Sequence, residues 1–188
     1  MTGTFIEQAS NAFSFLNTKG FSIASLRHGE LVYRKGRIFV TIDWSPKSGE
    51  IEVFIGPQKD IDDQNESYSL TDILRMEGVF DERINLPFQV PHENKLTPFL
   101  RQLAEYVESY AEPALAGDRM FFRRLASYRN REARAFMTEM QIRQLRDKAE
   151  TAWSNKDYAK VVELYSSVDK KHLTKIEVER LEYSRKKL

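Results

Sequence analysis

Apolar positions along the chain change period, and each change marks a change of element. From Thr4 to Asn17 the apolar residues Phe5, Ala9, Phe13 and Leu16 recur at helical spacing. Thr4 and Glu7 stand where a capping box would begin that helix, and Gly20 lies just past its end. The period then drops to two. The segments 21–26, 31–35, 37–44 and 51–56 are four strand candidates. Ile38, Val40, Ile42 and Trp44 fall on one face of the third, and Ile51, Val53 and Ile55 on one face of the fourth. The connections between them are short and each holds a glycine, as antiparallel hairpins require. This predicts a four-stranded antiparallel meander with its apolar face under the first helix.

Helical spacing returns afterwards. Ser69 and Asp72 open a short helix with Leu70, Ile73 and Leu74 inward and Gly78 at its end. Residues 79–94 are irregular, with Pro87 and Pro91. Their apolar members Phe80, Ile84, Leu86, Phe88 and Val90 predict a segment laid over the core. A strong helix follows over 96–112, with Leu96, Phe99, Leu100, Leu103, Tyr106, Val107 and Tyr110 on one face and Pro113 after the last turn. Asp118 caps a further helix in which Phe121, Leu125 and Tyr128 point inward. Thr138 and Gln141 would cap another reaching Ser154, and a single bent helix fits the same pattern. The fold class expected is therefore α+β: an α+β domain over 1–116, then an all-helical part over 117–188.

The end of the chain has a pattern of its own. Leu145, Ala149, Ala152, Asp157, Tyr158 and Tyr165 resemble a tetratricopeptide repeat, in which two helices meet at a tight turn. Val161 and Val168 stand where that repeat prefers alanine. A single repeat leaves an apolar face uncovered. The preceding helix and the last one, through Ile176, Leu181 and Leu188, are expected to cover it, so the hairpin reads as a cap on the fold.

Charge divides the chain. Residues 1–116 hold 11 Lys and Arg against 17 Asp and Glu, residues 117–148 hold 9 against 4, and residues 149–188 hold 9 against 7. The net of +1 thus conceals an acidic front and a basic middle. The absence of cysteine excludes disulfides, thiolate metal sites and thiol nucleophiles. No secretory signal and no membrane-spanning apolar run is evident, and a cytoplasmic protein is expected.

Candidate chemistry is sparse. His28, His92 and His172 lack partners at metal-ligand spacing and read as solvated loop histidines. There is no glycine-rich phosphate loop and no nucleophile elbow, so neither a cofactor nor an enzymatic activity is expected. The acidic run with Asp60, Asp62, Asp63 and Glu66 lacks the glycine and terminal glutamate of a calcium loop. It reads as a solvated loop, or as a docking surface for a basic protein. The stretch 119–134 interleaves arginines with Phe121, Phe122 and Tyr128. Arg123, Arg124, Arg129 and Arg131 on one exposed face would grip nucleic acid. The same arginines paired with the acidic half would be structural.

Residues 13–78, with their helix, the Gly20-Phe21 step, the meander and the "SLTDILRMEG" helix, resemble small bacterial α+β proteins that include immunity proteins of polymorphic toxins. The resemblance implies a stoichiometric protein binder, an inhibitor of a basic toxin domain, and carries over no catalytic residue.

Overall fold

The computed structural model describes residues 4–57, 67–80 and 86–188. The chain divides into two compact units, Met1–Arg129 and Asn130–Leu188. The boundary expected after residue 116 lies instead within a helix. Phe121, Phe122 and Leu125 are buried in the core of the first unit, so the opening turns of that helix belong with the sheet.

In the first unit, α1 (Phe5–Ala12) begins at the expected capping box, with Glu7 N–H donating to the Thr4 hydroxyl and Thr4 N–H to the Glu7 carboxylate. The single helix expected over 4–17 is broken after Ala12, and α2 (Phe15–Thr18) follows as one turn. The break lets both Phe13 and Leu16 reach the core. Strands β1 (Ser22–Arg27), β2 (Glu30–Lys35), β3 (Ile38–Trp44) and β4 (Glu50–Pro57) run antiparallel in chain order. Two short strands, β5 (Tyr68–Ser69) and β6 (Phe88–Gln89), also pair with β4. Among the described residues the sheet therefore has six strands, not four. Two-residue strands carry too little alternation to be read from a period of two.

Leu31 and Tyr33 of β2, Val40, Ile42 and Trp44 of β3, and Ile51, Val53 and Ile55 of β4 are buried, as the alternation requires. Helix α3 (Leu70–Met76), α4 (Thr97–Tyr110) and α5 (Glu112–Leu115) complete this core, α4 through Leu100, Leu103, Ala104 and Val107. Trp44 ties it together. Its ring stacks on Phe5 at 5.9 Å, and its indole Nε1 donates to the Val90 carbonyl at 3.0 Å, which pins the irregular segment to the sheet.

Helix α6 (Arg119–Ser154) is one element, which decides between the one-helix and two-helix expectations. Its last turns form a second core with α7 (Tyr158–Ser166) and α8 (Lys175–Arg185), made of Ala149, Ala152, Val161, Tyr165 and Leu181. Asp157 caps α7 by accepting from Lys160 N–H at 3.0 Å. Of the three residues expected to cover the hairpin, only Leu181 is buried, while Ile176 and Leu188 are exposed. The capping box between Thr174 and Glu177 turns Glu177 inward, and Ile176, one position earlier, is rotated by about 100° away from it.

Two buried aromatics differ in one respect that stability measurements will resolve. Tyr33 is fully buried, and its hydroxyl has no hydrogen-bond partner among the described residues. Burial pushes its pKa up, and Ser10 tempers the rise without reaching hydrogen-bond geometry. Tyr33→Phe is expected to leave stability unchanged or raise it by about 1 kcal/mol. Trp44→Phe strands the Val90 carbonyl and is expected to cost about 1–3 kcal/mol. Urea denaturation of both variants checks the contrast, and a large loss in Tyr33→Phe would contradict it.

Candidate interaction surfaces

The acidic residues Asp60, Asp62, Asp63 and Glu66 lie outside the described residues. The described part of the acidic front does contain one ordered row. Glu30 pairs with Asp43 across β2 and β3, and Asp43 pairs with Glu52 across β3 and β4, so three carboxylates stand abreast. Burial raises the Asp43 pKa and the Glu30 charge adds to it. Burial also raises that of Glu52. Hydrogen bonds from Ser69 and Thr71 oppose that rise, while the charges of Asp72 and Glu50 reinforce it. Like charges directly opposite each other on a sheet repel.

The arginines of α6 do not form one face. At 100° per residue, Arg124 and Arg131 share a side, whereas Arg123 and Arg129 each project elsewhere. Arg124 bridges to Glu77 at 3.0 Å. Arg129 lies 3.8 Å from Asp72, donates to the Ser67 carbonyl at 3.0 Å, and sits 5.3 Å above the Tyr68 ring. Arg131 reaches Glu132 at 3.6 Å. Arg124 and Arg129 thus fasten α6 to the carboxylates of α3 and the residue after it. This is the structural use that the basic middle of the chain offers to its acidic front.

Arg123 takes part in a different arrangement. With Arg119, one helical turn earlier, it borders a groove of about 720 Å³ in the first unit. Lys35 and Arg37, at the β2–β3 hairpin, stand on the same rim. Ile38, Pro57, Phe122 and Ala126 supply apolar lining, and the described lining contains no acidic residue. The hairpin has only Gly36 and Arg37 between Lys35 and Ile38, and Gly36 takes the positive φ of 55° that so short a turn demands. Its Gly36 carbonyl accepts from Arg34 Nε at 3.0 Å. Gly117, at φ 75°, brings the α5–α6 link against Ile38. A Cβ there would meet Ile38 Cγ1 at 3.3 Å.

A second surface lies within the second unit. Every residue from 131 to 141 is exposed, Phe136 and Met137 by more than half and Met140 by 37%. With Ala133 these side chains span about 100° of helix circumference, a continuous apolar stripe. Nearby, Arg146 donates to Glu177 at 2.7 Å and to the His172 carbonyl at 2.8 Å, which ties the end of α6 to α8.

The groove and the stripe were only partly legible in sequence. Arg123 was a candidate, but Lys35, Arg37 and Arg119 were not. A dibasic two-residue hairpin was the available signal. Phe136, Met137 and Met140 at spacings of one, three and four in polar surroundings signalled the stripe. His28, His92 and His172 are all exposed. Among the described residues, no group of three His, Cys, Asp or Glu side chains stands where it would hold a metal, and no helix is long and apolar enough to cross a membrane. Comparison with protein-family models, with characterised proteins and with solved structures returned no match.

Glu52 and Glu177 should titrate with opposite consequences. Burial disfavours the Glu177 carboxylate, but hydrogen bonds from Arg146 and from the Thr174 N–H and hydroxyl outweigh that and hold its pKa below the usual range. A depressed pKa contributes stability above the unfolded value of about 4.3, lost as pH falls through the folded value. Glu52, raised, does the reverse: protonation in the fold as pH falls adds stability. Glu177→Gln is therefore expected to cost about 1–2 kcal/mol at pH 7 and progressively less as pH falls below the unfolded value. Glu52→Gln should be neutral or stabilising at pH 7. Thermal melts across pH 3–7 distinguish them, and parallel pH profiles would refute the assignment.

Proposed function

We propose that this protein is a non-catalytic protein-interaction module whose contact element is the exposed midsection of α6. The observation that carries the reading is the stripe of Phe136, Met137 and Met140 in solvent. Aromatic residues and methionine are enriched at the centres of protein interfaces, and a contiguous exposed apolar patch on an otherwise charged surface marks a contact site. Both flanks of the stripe carry arginines, Arg134 on one side and Arg143 on the other. Residues 130–148 hold 5 basic against 3 acidic residues. The matching partner is another protein that offers an apolar cleft with an acidic rim. The three exposed histidines, on separate segments, support a binder over a catalyst.

In the immunity-type form of this proposal the partner is a toxin domain, and the module protects a host that expresses that toxin. The acidic run with Asp60, Asp62, Asp63 and Glu66 would then add a second, electrostatic contact to a basic region of the same toxin.

Phe136→Glu/Met140→Glu is the direct test. Both side chains are exposed, so thermal stability should stay within about 0.5 kcal/mol of the parent. Affinity for the purified partner should fall by at least about tenfold, the scale of losing one interface hot spot. An unchanged affinity would remove the stripe from the interface. Light scattering supplies the remaining arm: a parent that is dimeric and a variant that is monomeric would assign the stripe to a second copy of this chain and overturn the reading.

A further inference from the structure

The groove in the first unit has no part in that reading, because none of its lining residues belongs to the α6 midsection. Cations reach it from two directions. Lys35 and Arg37 come from a hairpin that can scarcely deform, since two residues connect β2 to β3. Arg119 and Arg123 are four apart on a helix and therefore project on the same side. Cations held on two separate elements keep their spacing, and the described lining offers no carboxylate to offset Lys35, Arg119 and Arg123, so an anion there is attracted from both sides. The neighbouring carboxylate of Asp118 does not serve. It accepts from the Met120 N–H at 2.8 Å and caps its own helix.

Between the cations the surface is apolar. Ile38 and Pro57 are cross-strand neighbours, half-buried, and Ala126 is half-buried beside them. An isolated phosphate or sulfate would leave this strip bare. A polyanion with apolar body between its charges would cover it. Sugar and base edges between successive phosphates have that composition. The volume, about 720 Å³, is of small-molecule size, which admits an unpaired strand about one or two nucleotides at a time.

We propose that this groove binds the phosphate backbone of single-stranded nucleic acid without regard to sequence. Sequence independence follows from the aromatics. Phe122 is buried and stacks on Tyr68 at 6.0 Å, and Tyr68 is itself covered by Arg129, so neither ring offers a free face for a base. Binding then rests on phosphate contacts alone. It is modest in strength and steeply salt-dependent. For Lys35, Arg119 and Arg123 the slope of log affinity against log salt is about −2. Of the four arginines picked out by the sequence, Arg123 alone belongs to this set. Arg124 and Arg129 are committed to Glu77 and Asp72, and Arg131 lies beyond the groove.

The test is fluorescence anisotropy of the full chain with labelled oligonucleotides of mixed sequence at low salt. An unpaired strand is expected to bind, homopolymers of different base to differ by less than threefold, and the salt slope to be about −2. Lys35→Ala/Arg119→Ala/Arg123→Ala should weaken binding at least tenfold. Arg119→Lys/Arg123→Lys keeps the charge and should retain binding within threefold. Lys47→Ala/Arg101→Ala, at two exposed cations of the first unit outside the groove lining, should leave it unchanged. Circular dichroism verifies each fold, and the lysine variant decides the matter if the triple alanine variant does not fold. Absence of binding at low salt, or equal loss in the Lys47/Arg101 variant, overturns the proposal. So does equal binding of a polyglutamate peptide of matched charge, which would make the groove a site for acidic protein segments. Tighter binding of a duplex than of the unpaired strand would also overturn it.

Discussion

The burial of Phe121, Phe122 and Leu125 among the side chains of the sheet unit is the constraint on which the remaining features depend. Three apolar residues in the opening turns of α6 enter a core built mainly from β2, β3, β4 and α4. They thereby set the rotation of the helix about its axis. Once that rotation is set, every arginine of the basic stretch has a determined destination. Arg124 and Arg129 meet the carboxylates of Glu77 and Asp72, while Arg119 and Arg123 border the groove. A residue's role here follows from its angle relative to Phe122 more than from its charge.

The same helix contributes to two cores. Its first turns belong to the sheet unit, and Ala149 and Ala152 near its end belong to the C-terminal core with Val161, Tyr165 and Leu181. Between these lies a segment in which neither core makes a demand, and there Phe136, Met137 and Met140 stay in solvent. Apolar side chains in such a place gain nothing from the fold itself. Each leaves unrealised part of the roughly 1.5–3 kcal/mol that full burial brings. That is the physical reason for the proposal that a partner covers the segment.

The electrostatic pattern is also one of placement. Carboxylates stand abreast on the sheet at Glu30, Asp43 and Glu52, and burial makes two of them harder to ionise. Glu177 is buried yet easier to ionise, because Arg146 and the Thr174 cap supply donors. Burial alone predicts the wrong sign for Glu177. The donor count decides it.

What the chain's sequence determined unaided was local. Alternation in β3 and β4 identified their inward faces, because a strand's side-chain period is two wherever it lies. The caps at Thr4 and Ser69 were legible because a hydroxyl and a carboxylate three residues apart satisfy the same helix donors in any context. The α+β class and the helical end followed from these periods. The tertiary structure alone decided what depends on angle and distance between remote residues. Strands β5 and β6 exist because Tyr68 and Phe88 come to lie beside β4, although two residues hold no period. Ile176 and Leu188 stay exposed because Glu177 takes the inward position. The four arginines were equivalent as letters. They became structural or available only when Phe121, Phe122 and Leu125 were buried, since the hydrophobic term that turned the helix outweighs any single surface charge.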